Sequence, residues 1–210
     1  MTEIKKPFWE DSYKRPGKLD TFGGGKPSQL VVKVASTLKS AGLKALDVAC
    51  GEGRNAIYLA DLGFQTYAFD ISESGIQKLN TIAQERGLAI NTTVADMRTY
   101  LFPHKFDLIV CQGCLHLIKR PEWKSFIKRM KEVTVPGGFN LVGVFTDTVP
   151  EPEDQRGLMV GLFKEGELRE QYKDWEIIES NTYRFSHTHP GGISHEHAGN
   201  DVVAKKPVKP

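Results

Sequence analysis

The chain has 210 residues, of which 40% are hydrophobic and 26% are charged, as expected for a soluble globular protein of one domain. Its formal net charge of +2 is smaller than that of most nucleic-acid-binding domains, which disfavours a duplex-binding role. Three cysteines make no disulfide framework and fit a reducing compartment. The N-terminus lacks the apolar segment of a signal peptide, and no apolar stretch approaches the ~20 residues that span a bilayer. We therefore expect a cytoplasmic protein.

Residues 1–26 are polar with scattered aromatic side chains, and we expect an irregular arm that contains one short helix. From residue 27 onwards, short apolar runs alternate with segments whose apolar residues recur at helical spacing. The elements predicted up to residue 145 are a helix 27–41, a strand 43–49, a helix 54–62, a strand 65–69, a helix that is capped by Ser72 and runs to 86, strands 89–94 and 106–111, a helix 123–133, a turn 136–138 and a strand 139–145.

The pattern changes after Asp147, where a helix is predicted at 164–172 and segments 175–185 and 198–205 alternate like an antiparallel pair. Strands that alternate with helices indicate βαβ units and a parallel sheet covered on both faces. The sequence therefore predicts an α/β fold with a Rossmann-like, doubly wound, mostly parallel sheet, closed by an antiparallel C-terminal hairpin. We expect one domain over 27–210, preceded by an aromatic arm over 1–26 that forms a lid or docks on the core.

The strongest motif is DVACGEGRN at residues 47–55, between a predicted strand and a predicted helix. Gly51 and Gly53 allow a tight turn and let a ligand approach the backbone, and the N-terminus of the following helix favours a negative group. Asp70 ends the next strand, about 20 residues on, where a carboxylate accepts hydrogen bonds from ribose hydroxyls. Both NAD and S-adenosylmethionine (SAM) contain that ribose, so these residues alone do not separate the two cofactors.

Three further features separate them. Asp47 precedes the glycines, Asp96 and Met97 follow the third strand, and Pro-Gly-Gly at 136–138 leads into the last parallel strand. Together with the glycine turn, these residues resemble the class I SAM-dependent methyltransferases. The segments GEGRNAIYLA (51–60) and FKEGELREQYKDW (163–175) narrow the resemblance to the tellurite-resistance, TehB-like group, and the aromatic arm resembles that of small thiol methyltransferases.

The resemblance implies a SAM site at the strand ends. In that family the acid that matches Asp47 lies near the SAM amino group, the residue that matches Asp70 binds the ribose, and the pair that matches Asp96 and Met97 faces the adenine. The end of the fourth strand is implied to contact the methionine part of SAM through its backbone, here at Cys111, Gln112 and Gly113. The other cofactor contacts that we expect are Ala49, Cys50, Gly51, Gly53, Arg54, Asn55 and Ile71.

The implied reaction is SN2 transfer of a methyl group to a small acceptor, and the expected acceptor is a soft nucleophile such as a thiol or a selenium or tellurium oxyanion. Such an acceptor needs little help from a general base, whereas an oxygen or nitrogen acceptor needs one, and His116 and His187 are the candidates. Arg184 is a candidate for binding an anionic substrate, with a solvated strand residue as the alternative. Tyr13 is a candidate through the arm, because a lid would exclude water during methyl transfer.

The histidines at 187, 189, 195 and 197 raise a metal hypothesis, but a polar hairpin is the favoured interpretation and no metal site is predicted. Cys111 and Cys114 have C-x-x-C spacing, for which buried thiols are favoured over a redox pair. The rival functions are an NAD(P)-dependent oxidoreductase, a SAM-binding protein without turnover and, more weakly, a nucleic-acid methyltransferase. The expected partner is a small-molecule substrate, not a nucleic acid or a membrane.

Overall fold

The computed structural model describes residues 8–15, 19, 21, 23–151, 156–188 and 194–208. The chain folds as two compact units, residues 1–110 and 111–210. Helices and strands follow one another in the predicted order. None of the helices in the described ranges has the length and the apolar composition that a membrane crossing requires.

The first unit carries four strands, of which β1 pairs with β2 and β2 pairs with β3, both in parallel. Its strands lie in the order β3-β2-β1-β4. The elements are α1 (Phe8–Tyr13), α2 (Gln29–Ala35), β1 (Lys44–Val48), α3 (Arg54–Asp61), β2 (Gln65–Asp70), α4 (Glu73–Glu85), β3 (Ile90–Val94) and β4 (Phe106–Gln112), with a short 3-10 helix at Gly23–Gly25.

Apolar burial holds α3 and α4 of the first unit against its strands. Ala56 and Ile57 of α3, Ala68 of β2 and Leu79 of α4 form one buried cluster. The Oγ of Ser72 accepts a hydrogen bond of 3.0 Å from Gly75 N–H, so Ser72 caps α4 as predicted. These contacts place the glycine turn directly between the end of β1 and the first turn of α3.

The second unit carries an antiparallel arrangement in the strand order β5-β7-β6. The C-terminal hairpin that the sequence predicts is formed by β6 and β7, and both strands are longer than predicted. The elements are a 3-10 helix at Leu115–Leu117, α5 (Arg120–Val133), β5 (Thr134–Phe145), α6 (Glu167–Gln171), β6 (Glu176–Thr188) and β7 (Ser194–Lys205). The predicted fold class, a mostly parallel sheet with antiparallel C-terminal strands, is confirmed.

Two helix boundaries differ from the prediction. Helix α5 begins at Arg120 rather than at 123, because the Glu122 carboxylate accepts a hydrogen bond of 2.8 Å from Lys119 N–H and so caps an earlier turn. Helix α2 ends at Ala35 rather than near 41, because the hydroxyls of Ser36 and Thr37 donate to carbonyls of the last helical turn. In both cases local hydrogen bonds outweigh the apolar spacing.

The predicted turn at 136–138 is wrong, because these residues lie inside β5. Gly137 N–H donates to the carbonyl of Lys206 at 2.9 Å, and Lys206 N–H donates to the carbonyl of Gly138 at 2.8 Å. Gly137 takes a φ of 79°, which a glycine adopts without strain. The Pro-Gly-Gly segment therefore belongs to the strand and pairs with the C-terminal segment, instead of forming a turn that precedes the strand.

The first prediction concerns Gly75, in the first turn of α4. A Cβ at this position would lie 2.7 Å from the carbonyl oxygen of Gly51, a backbone atom of the glycine turn. Replacing glycine by alanine in a helix usually stabilises it by about 0.5–1 kcal/mol, but Gly75→Ala is expected to destabilise the protein by about 1–3 kcal/mol because the turn must shift. Urea denaturation measures the change.

The control for this prediction is Gln77→Ala on the exposed side of the same helix. It is expected to change the free energy of unfolding by no more than about 0.5 kcal/mol. A Gly75→Ala protein that is as stable as the wild type would show that the turn does not need this close approach.

Candidate cofactor-binding site

The ends of β1, β2 and β3 meet at one edge of the first unit. Cys50 N–H donates to the carbonyl of Phe69 at 3.0 Å, and Ala95 N–H donates to the carbonyl of Asp70 at 2.8 Å. The DVACGEGRN turn (47–55) therefore lies beside Asp70 and Ile71, and these lie beside the residues that follow β3. The structure thus brings together the cofactor residues that the sequence predicts within the first unit.

The turn between β1 and α3 has an unusual backbone. Ala49 has a φ of 49°, Gly51 a φ of 55° and Gly53 a φ of 85°. The left-handed region is costly for a residue with a Cβ. Ala49 is therefore strained, and contacts with its neighbours must hold it in this conformation. Such strain concentrates at ligand-binding sites.

Asp70 braces this turn from the end of β2. Its Oδ2 accepts a hydrogen bond of 2.8 Å from Gly51 N–H, and its Oδ1 accepts one of 2.8 Å from Ser72 N–H. Burial raises the pKa of the Asp70 carboxyl, while the hydrogen bonds from Ser72 and Gly51 oppose that rise. A carboxylate has about four acceptor positions, so the backbone hydrogen bonds do not use all of the acceptor capacity of Asp70.

Asp47 caps α3 from the end of β1. Its Oδ2 accepts a hydrogen bond of 3.0 Å from Ala56 N–H, in the first turn of the helix. The side chain is buried, and burial raises the pKa of Asp47 to about 7, although the nearby Arg54 guanidinium lowers it. One oxygen of this predicted ligand of the SAM amino group is therefore already used by the fold.

Asp96 is engaged by Arg98. The Arg98 Nε lies 2.8 Å from Oδ2 and 3.0 Å from Oδ1 of Asp96, and Arg98 N–H donates to Oδ1 at 2.8 Å. The hydrogen bond from Arg98 holds the pKa of Asp96 below its ordinary value. Met97 is half-buried, whereas Ile71 has 65% of its surface exposed. Ile71 thus offers an exposed apolar surface on which a ring could pack. Both carboxylate oxygens of Asp96 already accept hydrogen bonds from Arg98.

The remaining polar residues of the turn bind other parts of the chain. Arg54 Nη1 donates to the carbonyl of Lys26 at 2.8 Å, and the Asn55 Oδ1 accepts from Ser28 N–H at 2.9 Å. The Cys50 thiol is half-buried, and burial raises its pKa well above the ordinary value. Arg54 and Asn55 therefore support the turn from the side of the arm.

Tyr13 of α1 lies on the glycine turn. A Cβ at Gly51 would be 2.5 Å from the Tyr13 hydroxyl oxygen, and a Cβ at Gly75 would be 3.3 Å from its ring. Only 6% of Tyr13 is exposed. Burial, followed by the negative charge of Asp70, raises the pKa of the Tyr13 hydroxyl, so it stays protonated and can donate a hydrogen bond. The predicted arm therefore contributes Tyr13 to the cofactor edge, whereas Phe22 lies outside the described residues.

In the second unit, His116 belongs to a stack of rings. Its ring lies 4.4 Å from that of Phe145, and the Phe145 ring lies 4.7 Å from that of His197, both nearly parallel. The His116 Nδ1 accepts a hydrogen bond of 3.2 Å from Phe145 N–H. Burial, with a smaller contribution from His197, lowers the pKa of His116 to about 3. His116 is therefore neutral, with its proton on Nε2 by assignment from this hydrogen bond.

Arg184, a predicted substrate residue of the C-terminal hairpin, and His197 lie on different faces. Phe185 pairs with His197 and Arg184 pairs with Ala198, and alternate residues of a strand face opposite sides. Arg184 therefore lies on the face opposite His197, where it forms an ion pair of 3.8 Å with Glu196. The backbone of His187 pairs with His195, but its side chain lies outside the described part of the structure.

No group of three possible metal ligands is found within the described ranges, from which His189 is missing. The thiols of Cys111 and Cys114 are reduced, with 3.5 Å between their sulfur atoms, and both are buried. Gln112, the other predicted contact at the end of β4, has a buried Oε1 without a hydrogen-bond partner among the described residues.

Asp201 in β7 is a half-buried acid that the sequence motifs did not indicate. The Tyr183 hydroxyl donates to its Oδ1 at 3.3 Å, and burial raises the pKa of Asp201 to about 6. Two glycines make room for this pair, since a Cβ at Gly143 would meet Asp201 at 2.4 Å and one at Gly199 would meet Tyr183 at 2.6 Å. The spacing Gly199-x-Asp201 within an alternating strand was the available signal.

The second prediction concerns the raised pKa of Asp47, about 7 against an ordinary 3.8. Between these values the folded protein holds a proton that the unfolded chain releases, so this group makes stability fall as the pH rises from about 4 to about 7. Asp47→Asn keeps an acceptor for Ala56 N–H and is expected to remove this fall, whose slope is about 1.4 kcal/mol per pH unit within that range.

Urea denaturation of both proteins at several pH values between about 4 and 8 measures the difference. Asp61→Asn, at an exposed position of α3, is the control and is expected to follow the wild type. Parallel curves for the wild type and Asp47→Asn would contradict a raised pKa at this site.

Both the sequence and the fold of this chain match known proteins. The family model described as tellurite resistance protein TehB matches residues 26–190. The chain is 38% identical over 140 residues to the probable S-adenosyl-L-methionine-dependent methyltransferase TehB of Haemophilus influenzae, a match covering 66% of this chain and 48% of the relative. It is 29% identical over 192 residues to the 2-heptyl-1-hydroxyquinolin-4(1H)-one methyltransferase of Mycobacteroides abscessus, covering 88% and 83%.

The crystal structure of TehB from Haemophilus influenzae superposes with a TM-score of 0.75 at 32% identity, covering 85% of this chain and 62% of that one. The chain thus spans about half the length of the Haemophilus relatives that it matches. Since the family model extends over 26–190, the resemblance carried by segments 51–60 and 163–175 is confirmed, and the chain belongs to the TehB family.

Proposed function

We propose that this chain binds SAM at the cofactor edge of its first unit and catalyses methyl transfer to a small acceptor. The observation that carries the proposal is the meeting of the strained glycine turn, Asp70 and the exposed Ile71 at one edge. The family match supports the same cofactor. When bound, SAM would supply a methyl group on a positively charged sulfur. In an SN2 step, a lone pair of the acceptor would form a bond to the methyl carbon, and the electron pair of the broken carbon–sulfur bond would stay on sulfur.

The residues of the edge fit this cofactor to different degrees. Asp70 has acceptor capacity left for ribose hydroxyls, and Ile71 offers apolar surface to a purine ring. Asp47 keeps one oxygen for an amino group. Asp96 fits less well, since Arg98 already binds both of its oxygens. Ribose and ring binding therefore depend mainly on Asp70 and Ile71.

The acceptor that we propose first is a soft nucleophile, a thiolate or a selenium or tellurium oxyanion. Such a group attacks without a general base, which agrees with the state of His116. Its Nδ1 lone pair is used by Phe145 N–H and its Nε2 carries the proton, so neither nitrogen is ready to accept one. His116 is better suited to donate a hydrogen bond from Nε2 to an electron-rich acceptor.

A second candidate acceptor is a hydroxylated aromatic ring. The Mycobacteroides relative, which is named for a hydroxyquinolone, matches over most of both chains. The face of the hairpin that carries His197 is rich in rings, with Phe145 and Phe185 5.8 Å apart, whereas Arg184 lies on the other face. A hydroxyl acceptor needs a base, and Asp201 is the candidate because it shares this face and has a pKa of about 6.

The third prediction tests the cofactor by calorimetric titration with SAM, S-adenosylhomocysteine and NADH. Micromolar binding of the first two ligands and no binding of NADH are expected. Asp70→Ala is expected to weaken SAM binding by 100-fold or more, because it removes both ribose contacts and the brace of the turn, each worth roughly 1.5–3 kcal/mol. Asp61→Ala, at an exposed position of α3, is the matched control.

Binding of NADH in place of SAM would favour the oxidoreductase alternative. Binding of SAM without any methyl product from thiols, selenite, tellurite or hydroxylated rings would favour a SAM-binding protein without turnover.

The fourth prediction separates the two acceptor classes through Asp201→Asn. With a soft nucleophile no base is needed, and kcat is expected to stay within about twofold of the wild type. With a hydroxylated ring, kcat is expected to fall by about 100-fold or more. The wild-type rate should then rise with pH through about 6, as Asp201 loses its proton, and this rise should be absent from the variant.

Product formation from selenite and from a hydroxyquinolone, followed by mass spectrometry over a range of pH, measures both effects. Asp174→Asn, at an exposed position after α6, is the control. A hydroxylated-ring activity that keeps its full rate and its pH profile in Asp201→Asn would remove Asp201 from the reaction.

A further inference from the structure

The described residues of the N-terminal arm contact the glycine turn in matching order. Tyr13 lies on Gly51, Thr21 N–H donates to Glu52, the carbonyl of Lys26 accepts from Arg54, and Ser28 N–H donates to Asn55. Successive points along the arm thus meet successive residues of the turn. Four residues of the DVACGEGRN motif therefore have contact partners in the N-terminal part of the same chain.

Glu52 is the most committed of these residues. Its Oε1 accepts a hydrogen bond of 2.8 Å from Thr21 N–H, and its Oε2 lies 2.6 Å from the Lys78 Nζ of α4. The side chains of Glu52 and Lys78 are 4% and 8% exposed. A charge this deeply buried is tolerated because it is paired, and removing one partner leaves the other unsatisfied. Glu52 therefore joins the arm, the turn and α4 through one carboxylate.

The start of the arm is fixed by a separate contact. The Ser72 hydroxyl, which caps α4, donates a hydrogen bond to the Glu10 carboxylate of α1. Tyr13, one turn further on in α1, fits between Gly51 and Gly75, where neither glycine leaves room for a Cβ. Helix α1 is thus held against both elements that shape the cofactor edge.

We infer that the described residues of the N-terminal segment, 8–15, 19, 21 and 23–28, form a wall of the cofactor site, and that Glu52 is a positioning residue that couples this segment to the glycine turn. Glu52 acts through Thr21 and Lys78, since both of its oxygens are directed to them. The effect on SAM rests on the proposed function, whereas the attachment of the arm does not. Because coupling between two sites is reciprocal, SAM should protect the arm, and a loosened arm should bind SAM less tightly.

The experiment compares the full chain with Glu52→Gln. Glutamine keeps an acceptor for Thr21 N–H but removes the charge that Lys78 requires. Hydrogen–deuterium exchange of the arm is measured with and without SAM, together with the Kd for SAM and the steady-state constants for methyl transfer. Glu85→Gln, at the exposed end of α4, is the matched control.

In Glu52→Gln the amides of the arm are expected to exchange at least tenfold faster, and the Kd and KM for SAM are expected to rise about tenfold. The kcat at saturating SAM should stay within about twofold, because Glu52 does not touch the reacting atoms. The double variant Glu52→Gln/Lys78→Gln is expected to recover part of the SAM affinity, since it removes the unpaired ammonium. Glu10→Gln weakens only the contact at the start of the arm. It should change the exchange rates and the Kd for SAM in the same direction as Glu52→Gln but by a smaller factor. If Glu52→Gln does not fold, Glu10→Gln replaces it as the test.

The inference would be overturned if the exchange rates of the arm amides and the Kd for SAM were unchanged in both Glu52→Gln and Glu10→Gln. Faster exchange of the arm with an unchanged Kd would also overturn it, because the arm would then be no wall of the site. A wild-type protein that does not bind SAM would instead overturn the proposed function, and the exchange of the arm without ligand would still report on its attachment by Glu52.

Discussion

The hydrogen bond from Gly51 N–H to the Asp70 carboxylate connects the glycine turn to the end of the neighbouring strand. Without it, Gly51 N–H would lose its carboxylate partner in a buried part of the turn, where an unpaired N–H is costly. The same carboxylate also receives Ser72 N–H, so the start of α4 is positioned by the group that braces the turn. The geometry of the cofactor edge therefore depends on one buried aspartate, and the parallel register of β1 and β2 places it there.

The three aspartates at the strand ends share a position in the fold but differ in their electrostatics. Burial raises the pKa of Asp47 and of Asp70, whereas the hydrogen bond from Arg98 lowers the pKa of Asp96. The difference follows from what surrounds each group: helix and strand backbone in the first two cases and a half-exposed guanidinium in the third. The three carboxylates therefore differ in how readily they can accept a hydrogen bond from a ligand. At Asp96, a ligand would have to compete with the Arg98 guanidinium.

Much of this site could be predicted from the sequence, because strand ends, glycines and acids follow regular spacing. The positions of Gly51, Gly53 and Asp70 and the capping role of Ser72 agree with that spacing. What the spacing does not contain is the choice of partner. That the carboxylate of Glu52 is buried against Lys78, and that Asn55 receives Ser28 N–H, depends on contacts between segments 26 to 31 residues apart. The separation of Arg184 from His197 depended on the register of the hairpin, which short alternating segments do not fix.

The occupied side chains of the turn have a consequence for how this motif varies among relatives. Glycines 51 and 53 and Asp70 shape the backbone that meets a ligand, whereas Glu52, Arg54 and Asn55 are partners of the arm. A homologue with a different N-terminal segment would be free to replace the latter three and would keep the former three. In an alignment, these two groups of columns should therefore change independently. The residue at position 52 should covary with the residue at position 78, its side-chain partner, whereas positions 54 and 55, which bind backbone atoms of the upstream segment, depend on the path of that segment rather than on its residue types.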